Sequence, residues 1–260
     1  MISKLQIFVS TYLRNPNFRD LYVINREAAY QQLEIDEKSK VLIEKIDIKH
    51  LDESVKNLTS ERFEKRKAEF QEFFHYLSKF VDIDVYFNLF LRKYPTGSVG
   101  REVEVERFVQ FSTSYIKENK LPLVLIDLLI YCAKLTVLSD KPRENKNEYL
   151  ENKNISFEDI NTVKLLEPYE VIEFNYNVSQ LLNDDLSIEQ IMRITTSKTK
   201  FFIQKKYDLP TSCNVLEVDD EEFLNLIIEN RKIKEILTKD TDERKENIQY
   251  LISEKIAIPT

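Results

Sequence analysis

Apolar residues recur with the period of an α-helix through the first half of the chain. Leu5, Phe8, Val9, Tyr12 and Leu13 fall at i, i+3, i+4, i+7 and i+8, one face of a helix that ends near residues 14–17, Arg-Asn-Pro-Asn. Asp36 is placed to cap a helix over 37–46, and Asp47 to cap one with Leu51, Val55 and Leu58 on one side. Thr59 or Ser60 then opens a long helix carrying Phe63, Phe70, Phe74, Leu77 and Val81 as a core stripe. A helix over 84–94 stops at Pro95 and Gly97. The next, over 100–119, turns Val105, Phe108, Val109, Tyr115 and Ile116 inward, and Pro122 stands in the first turn of an apolar helix at 121–138. The pattern predicts a helical domain over 1–138, with short helices over 1–58 and a long-helix bundle over 59–138. Periodicity is lost over 139–163, where Asn, Lys and Glu dominate, and this stretch reads as a polar linker.

The period then changes from 3.6 to two. In residues 169–178, Ile172, Phe174, Tyr176 and Val178 alternate with Val171, Glu173, Asn175 and Asn177, the pattern of a half-buried strand. A short helical or irregular insertion at 179–196 follows. Residues 198–206 and 214–219 then form a hairpin around a loop with Asp208, Pro210 and Ser212. Asp219 and Glu222 are spaced as a helix cap and its reciprocal partner, starting a helix with Phe223, Leu226 and Ile227 inward. A short helix with Ile233, Ile236 and Leu237 comes next. Asp240 or Thr241 caps a third, which buries Ile248, Leu251 and Ile252. The expected fold is mainly α with a small α+β C-terminal domain: a helical bundle, then a winged-helix-like domain of three strands and three helices over 164–260.

Composition narrows the functional classes. At 42% hydrophobic and 32% charged residues, with two Gly and seven Pro among 260, the chain is globular and helix-rich. A net charge of -7 leaves no general field for nucleic acid or an anionic membrane. The apolar run at 121–138 contains Asp127 and Lys134, which makes it a core helix rather than a membrane span. Cys132 and Cys213 stand far apart and form neither a disulfide framework nor a metal clip, as expected of a reducing cytoplasm.

Catalytic chemistry is sparse. His50 and His75 have no second ligand at metal spacing, and the Pro-Thr-Gly-Ser-Val-Gly run at 95–100 lacks the Lys and Ser/Thr of a phosphate loop, so it reads as an interhelical turn. Glu221 with Glu222, and Asp184 with Asp185, read as caps and turns. Cys213 lies in the hairpin region near Asp208 rather than in a basic pocket. The chain is expected to hold a partner rather than to be an enzyme, with no catalytic residue, metal or cofactor of its own.

The C-terminal third, through residues 201–206, 214–227, 232–237 and 243–258, resembles the peptide-recognition domain of ribosomally made, modified-peptide (RiPP) biosynthesis, typified by the small chaperone PqqD. The middle, through residues 61–74, 89–98 and 105–135, is similar to the helical region of partner proteins of multinuclear non-haem iron-dependent oxidases. The opening residues 10–51 are similar, more weakly, to helical repeats of some modified-peptide leaders. The resemblance implies a non-catalytic partner that binds a precursor leader and presents it to an oxidase, with the iron in the oxidase, which acts on cysteines of the precursor. It also implies that the leader adds beside the third strand and against the third helix. Here that means Asn214, Val215, Leu216, Glu217 and Val218, with Arg244, Lys245, Ile248, Gln249 and Ile252. A winged-helix DNA-binding regulator and a helical protein–protein adaptor remain alternatives. The former needs a basic recognition helix, whereas the third helix mixes both signs of charge.

Overall fold

Short polar side chains between the apolar runs decide where the N-terminal helices begin. A computed structural model describes residues 3–95, 99–142, 156–207, 209 and 211–260 of the chain, which falls into two compact units, 1–121 and 122–260. The glycine turn expected at 95–100 and the linker expected at 139–163 lie partly outside the described residues, as do Asp208 and Pro210 of the hairpin loop.

In the first unit, Ser3 and Gln6 form a capping box that starts α1 (Lys4–Arg14). Asn15 closes α1 and opens α2 (Pro16–Ile24), accepting from the amides of Asn17 and Phe18. Asn25 does the same for α3 (Arg26–Gln32), and Asp36 caps α4 (Glu37–Ile43). These turns fold Phe8, Tyr12, Phe18, Tyr22 and Tyr30 into one aromatic cluster, in which the Phe8 and Tyr22 rings meet edge to face at 5.1 Å.

The break expected at Thr59 or Ser60 does not occur. Asp47 caps a single helix, α5 (Ile48–Glu69), and the chain breaks instead at Phe70, whose φ of -124° and ψ of 38° leave the helical region. Phe70 is fully buried against Phe108, with ring centroids 4.8 Å apart, so tertiary packing of an aromatic ring places this break. The remaining helices are α6 (Gln71–Leu77), α7 (Ile83–Lys93) and α8 (Arg101–Glu118). Arg62 pairs with Glu104 and Glu69 with Arg101 at 2.7 Å, tying α5 to α8, while the buried Arg66 pairs with Glu69 along the same helix at 2.7 Å.

The second unit begins at Pro122 rather than within 139–163. The apolar helix α9 (Val124–Asp140) belongs with the strands and not with the helical bundle. Its Tyr131 ring meets Phe174 and Phe201, and Asp127 accepts the amides of Asn175 and Tyr176 at 2.7 and 2.9 Å, where the strand register shifts. Helical periodicity gave no means of telling which neighbour such an all-round apolar helix covers.

A three-residue strand, β1 (Val163–Leu165), precedes β2 (Tyr169–Tyr176). The insertion contains two five-residue helices, α10 (Ser179–Asn183) and α11 (Ile188–Met192). After β3 (Thr196–Lys205) and β4 (Cys213–Glu217) come α12 (Glu221–Ile228), α13 (Ile233–Ile236), α14 (Thr241–Ser253) and β5 (Ala257–Pro259). The N-cap of α12 is Asp220, one residue later than expected, and it accepts from the amide of Phe223 at 2.9 Å.

An antiparallel sheet of order β2-β3-β4 forms the centre, and β1 pairs with β5 in a separate ribbon. α9 covers one face of the sheet. Phe202 on the opposite face joins Leu165, Phe223, Leu224, Ile227, Ile236, Ile248 and Leu251 in the core of the unit. Buried Gln204 links sheet to ribbon, donating to the carbonyls of Leu166 and Ile256 at 2.7 and 2.6 Å. The chain is mainly helical with a small three-stranded antiparallel sheet towards its C-terminus, as expected; the β1-β5 ribbon and the two helices of the insertion are additions to the expected three strands and three helices.

Candidate peptide-docking groove

The third strand of the sheet has one partner and one open side. Val218 donates to Lys200 O and Lys206 to Ser212 O, each at 2.8 Å, and the register between them sets Phe202 opposite Leu216 and Gln204 opposite Asn214. Antiparallel pairs alternate between bonded and non-bonded. Asn214, Leu216 and Val218 therefore turn their backbone groups toward β3, whereas Val215 and Glu217 turn theirs away from it. Among the described residues no backbone carbonyl outside the sheet takes the amides of Val215 and Glu217.

Beside this strand a groove of about 240 Å³ runs between β4 and α14. Leu216 and Val218 contribute the strand side. Leu165, Phe202, Phe223, Leu224 and Leu251 contribute apolar surface, and Glu243, Asn247 and Tyr250 come from the helix. Glu243, Asn247, Tyr250 and Leu251 fall at i, i+4, i+7 and i+8, one face of α14. Tyr250 is 49% exposed, an aromatic side chain set beside open space.

The strand half of the expected docking residues lies here, but the helix half does not. Leu216, Glu217 and Val218 line the groove, with Asn214 and Val215 adjoining along β4. On α14, Ile248 is completely buried and Arg244 is 2% exposed, so both serve the core. Lys245 lies over the Phe157 ring at 5.2 Å, Gln249 is exposed outside the groove lining, and Ile252 packs partly buried against the core. The groove-facing residues Glu243, Asn247 and Tyr250 were missed because apolar periodicity reports the face a helix buries. A lone tyrosine among polar residues was the available signal.

Charge organises the ends of the helices around the groove. Arg244 pairs with Asp220 at 2.7 Å and with Glu222 at 3.3 Å, and donates to Ile236 O at 3.0 Å. Burial alone lowers the affinity of Arg244 for its proton, but these two carboxylates hold it above its usual range. Desolvation pushes Asp220 up. The amide of Phe223 and the Arg244 guanidinium outweigh it and hold the carboxyl below the usual carboxylate range.

Other candidate features form no second site of this kind. His50 lies 3.8 Å from Glu53 on an exposed helix surface, and the His75 ring lies edge-on to Tyr76 at 4.9 Å. Among the described residues no three His, Cys, Asp or Glu side chains are grouped so as to hold a metal ion, and no helix is long and apolar enough to cross a membrane. Cys213 donates through Sγ to Leu135 O at 3.8 Å. In the first unit an open cleft of about 500 Å³ is lined by residues including Arg19, Phe63, Asp84 and Phe87, and Arg19 already donates to the carbonyls of Tyr12 and Leu13. No protein-family model matches this chain, and no curated protein matches it, so the functional reading rests on the groove.

Proposed function

We propose that the C-terminal unit binds an extended peptide segment by adding it as a fourth strand on β4. The observation that carries this reading is the coincidence of an open strand edge with an apolar groove whose other wall is a helix. An incoming strand accepts from the amides of Val215 and Glu217 and returns donors to their carbonyls. Each such bond is worth about 0.5–1.5 kcal/mol net. Side chains at every second position of the peptide enter the groove over Leu216, Phe223 and Leu251, each apolar one adding about 1.5–3 kcal/mol when fully buried.

The resemblance to modified-peptide recognition domains supports reading the bound segment as the leader of a ribosomally made precursor. On that reading the chain is the non-catalytic partner of an iron-dependent oxidase, holding the leader while the oxidase acts on cysteines of the precursor. A DNA-binding reading fits α14 less well, because its exposed charges are Asp242, Glu243 and Glu246 against Lys245, not a basic stripe.

Amide hydrogen exchange on the full-length protein tests the docking, with the leader of a cysteine-containing precursor encoded beside it. Val215 and Glu217 are expected to gain protection while Asn214 and Leu216, already bonded to β3, change little. Leader binding without protection at either amide would falsify strand addition on this edge. Co-purification with an iron-bearing oxidase tests the remainder, and no such association at micromolar concentration removes the oxidase from the reading.

A further inference from the structure

The groove has a charge of one sign. Among the described residues its lining includes the carboxylates of Asp219, Asp220 and Glu243 and no Lys, Arg or His, while Glu217, opposite Phe201 in the register, borders it through its backbone and turns its side chain to the α9 face. Asp220 is neutralised by Arg244, but among the described residues Asp219 and Glu243 enter no ion pair. The nearby cations are engaged elsewhere: Arg244 with Asp220 and Glu222, Lys239 with Glu222 at 2.8 Å, and Lys200 with Glu221 at 2.5 Å. Helix ends explain part of this acidity, since Asp220 caps α12 and Glu243 stands in the first turn of α14. They do not explain Asp219, which is exposed outside the helix.

We infer that the groove selects a basic, amphipathic peptide: an extended segment with apolar side chains at alternate positions and Lys or Arg at positions beside them. This rests on the strand-addition reading above and adds the chemistry of the occupant. An apolar side chain enters between Leu216, Phe223 and Tyr250, while a neighbouring cation reaches Asp219 or Glu243 at the rim. An acidic segment would bring like charge against carboxylates that have no local counter-ion. The discrimination is a rim effect, so it weakens with salt.

Three eleven-residue synthetic peptides test this on the full-length protein, each with the same alternating valines and with Lys, Ser or Glu at the intervening positions. In low salt the Lys peptide is expected to bind about tenfold more tightly than the Glu peptide, as two or three exposed charge pairs together provide. Asp219→Asn combined with Glu243→Gln is expected to remove most of that preference while leaving the Ser peptide unchanged. Glu61→Gln with Glu102→Gln, which makes the same change of net charge in the N-terminal unit, is expected to leave the preference intact. Equal binding of all three peptides, with each weakened by Val215→Pro, overturns the charge selection and leaves strand addition standing. Equal loss of preference in both double variants overturns the assignment to this groove, because it reduces the effect to overall charge. No binding by any of the three peptides overturns the docking and the charge selection together. Concentration-dependent dimerisation abolished by Val215→Pro gives the edge to a second copy of this chain and likewise overturns the proposal.

Discussion

β4 and α14 each have a committed side and an uncommitted one, and the two differ in chemistry. On the committed side Leu216 and Asn214 bond back to β3, and Ile248 and Arg244 are sealed in the core by packing and by ion pairs. On the uncommitted side stand the amides of Val215 and Glu217, the half-exposed Tyr250, and the carboxylates Asp219 and Glu243. The committed side consists of groups that lose free energy when left unpaired. The other consists of groups that water satisfies and that a ligand can take over. Recognition by such a surface needs no movement of the core. Mutations on the two sides should therefore separate stability from binding.

The largest expected effect removes the support of the committed side altogether. A fragment starting at Leu165 lacks α9 and two of the three residues of β1, and exposes Phe174 and Phe201, which pack on Tyr131. It is expected to show no cooperative thermal transition by circular dichroism, whereas a fragment starting at Pro122 folds. Cooperative melting of the shorter fragment would show that α9 is dispensable. Next comes Ile248→Asp in the full chain, which buries an unpaired carboxylate where the side chain has no exposure. Its cost of several kcal/mol is expected to abolish the denaturant transition of the C-terminal unit. Ile248→Ala, at about 2–5 kcal/mol, shifts the midpoint.

The same two sides mark how far the sequence could be read. Strict alternation made β2 legible, the turn residues between two β-rich runs marked β3 and β4 as a hairpin, and the burial of Ile248 and Leu251 followed from helical spacing. β1 and β5 were not legible, because three residues carry too little period and their pairing joins positions almost a hundred residues apart. The placement of α9 and the break at Phe70 depend on distant partners, which no local window contains. On the candidate site, the strand half follows from order along the chain. The helix half does not: the periodicity that finds Ile248 points away from Tyr250, which shows its role only once β4 lies beside it.

Proline separates the two sides of β4 most directly. Leu216→Pro removes an amide bonded to β3 and is expected to cost about 3 kcal/mol of stability, seen in a denaturant titration. Val215→Pro removes an amide that faces away from β3, as Pro tolerates at an edge, and is expected to leave the midpoint nearly unchanged. Peptide affinity should fall about tenfold or more in Val215→Pro, measured by fluorescence anisotropy. Tyr250→Ala should behave similarly: small in stability, about 1–2 kcal/mol in binding. A Val215→Pro variant that unfolds would mean that the edge is committed after all.

The smallest effect concerns the ion pair that holds the committed side of α14 near the groove. Asp220 has its folded pKa lowered, with the Phe223 amide and Arg244 outweighing the desolvation that raises it. A lowered carboxylate pKa contributes stability that is present above the unfolded value of about 3.9 and is lost as pH falls through the folded value. Asp127 runs the other way. Burial raises its pKa, so its contribution is present at low pH and diminishes as pH rises through its folded value. Asp220→Asn keeps a cap for α12 but loses the charge facing Arg244, and is expected to cost about 1 kcal/mol near pH 7, discounted because Asp220 is partly exposed. As pH falls below the ordinary carboxylate range and through the lowered folded value of Asp220, the difference from the parent should shrink, because the parent then loses the same charge. Thermal midpoints of both proteins from pH 7 down to about pH 2, through the titration of Asp220, measure this. A gap that stays constant across that range would assign the role of Asp220 to its cap hydrogen bond alone, and would leave the position of Arg244 to Glu222 and the Ile236 carbonyl.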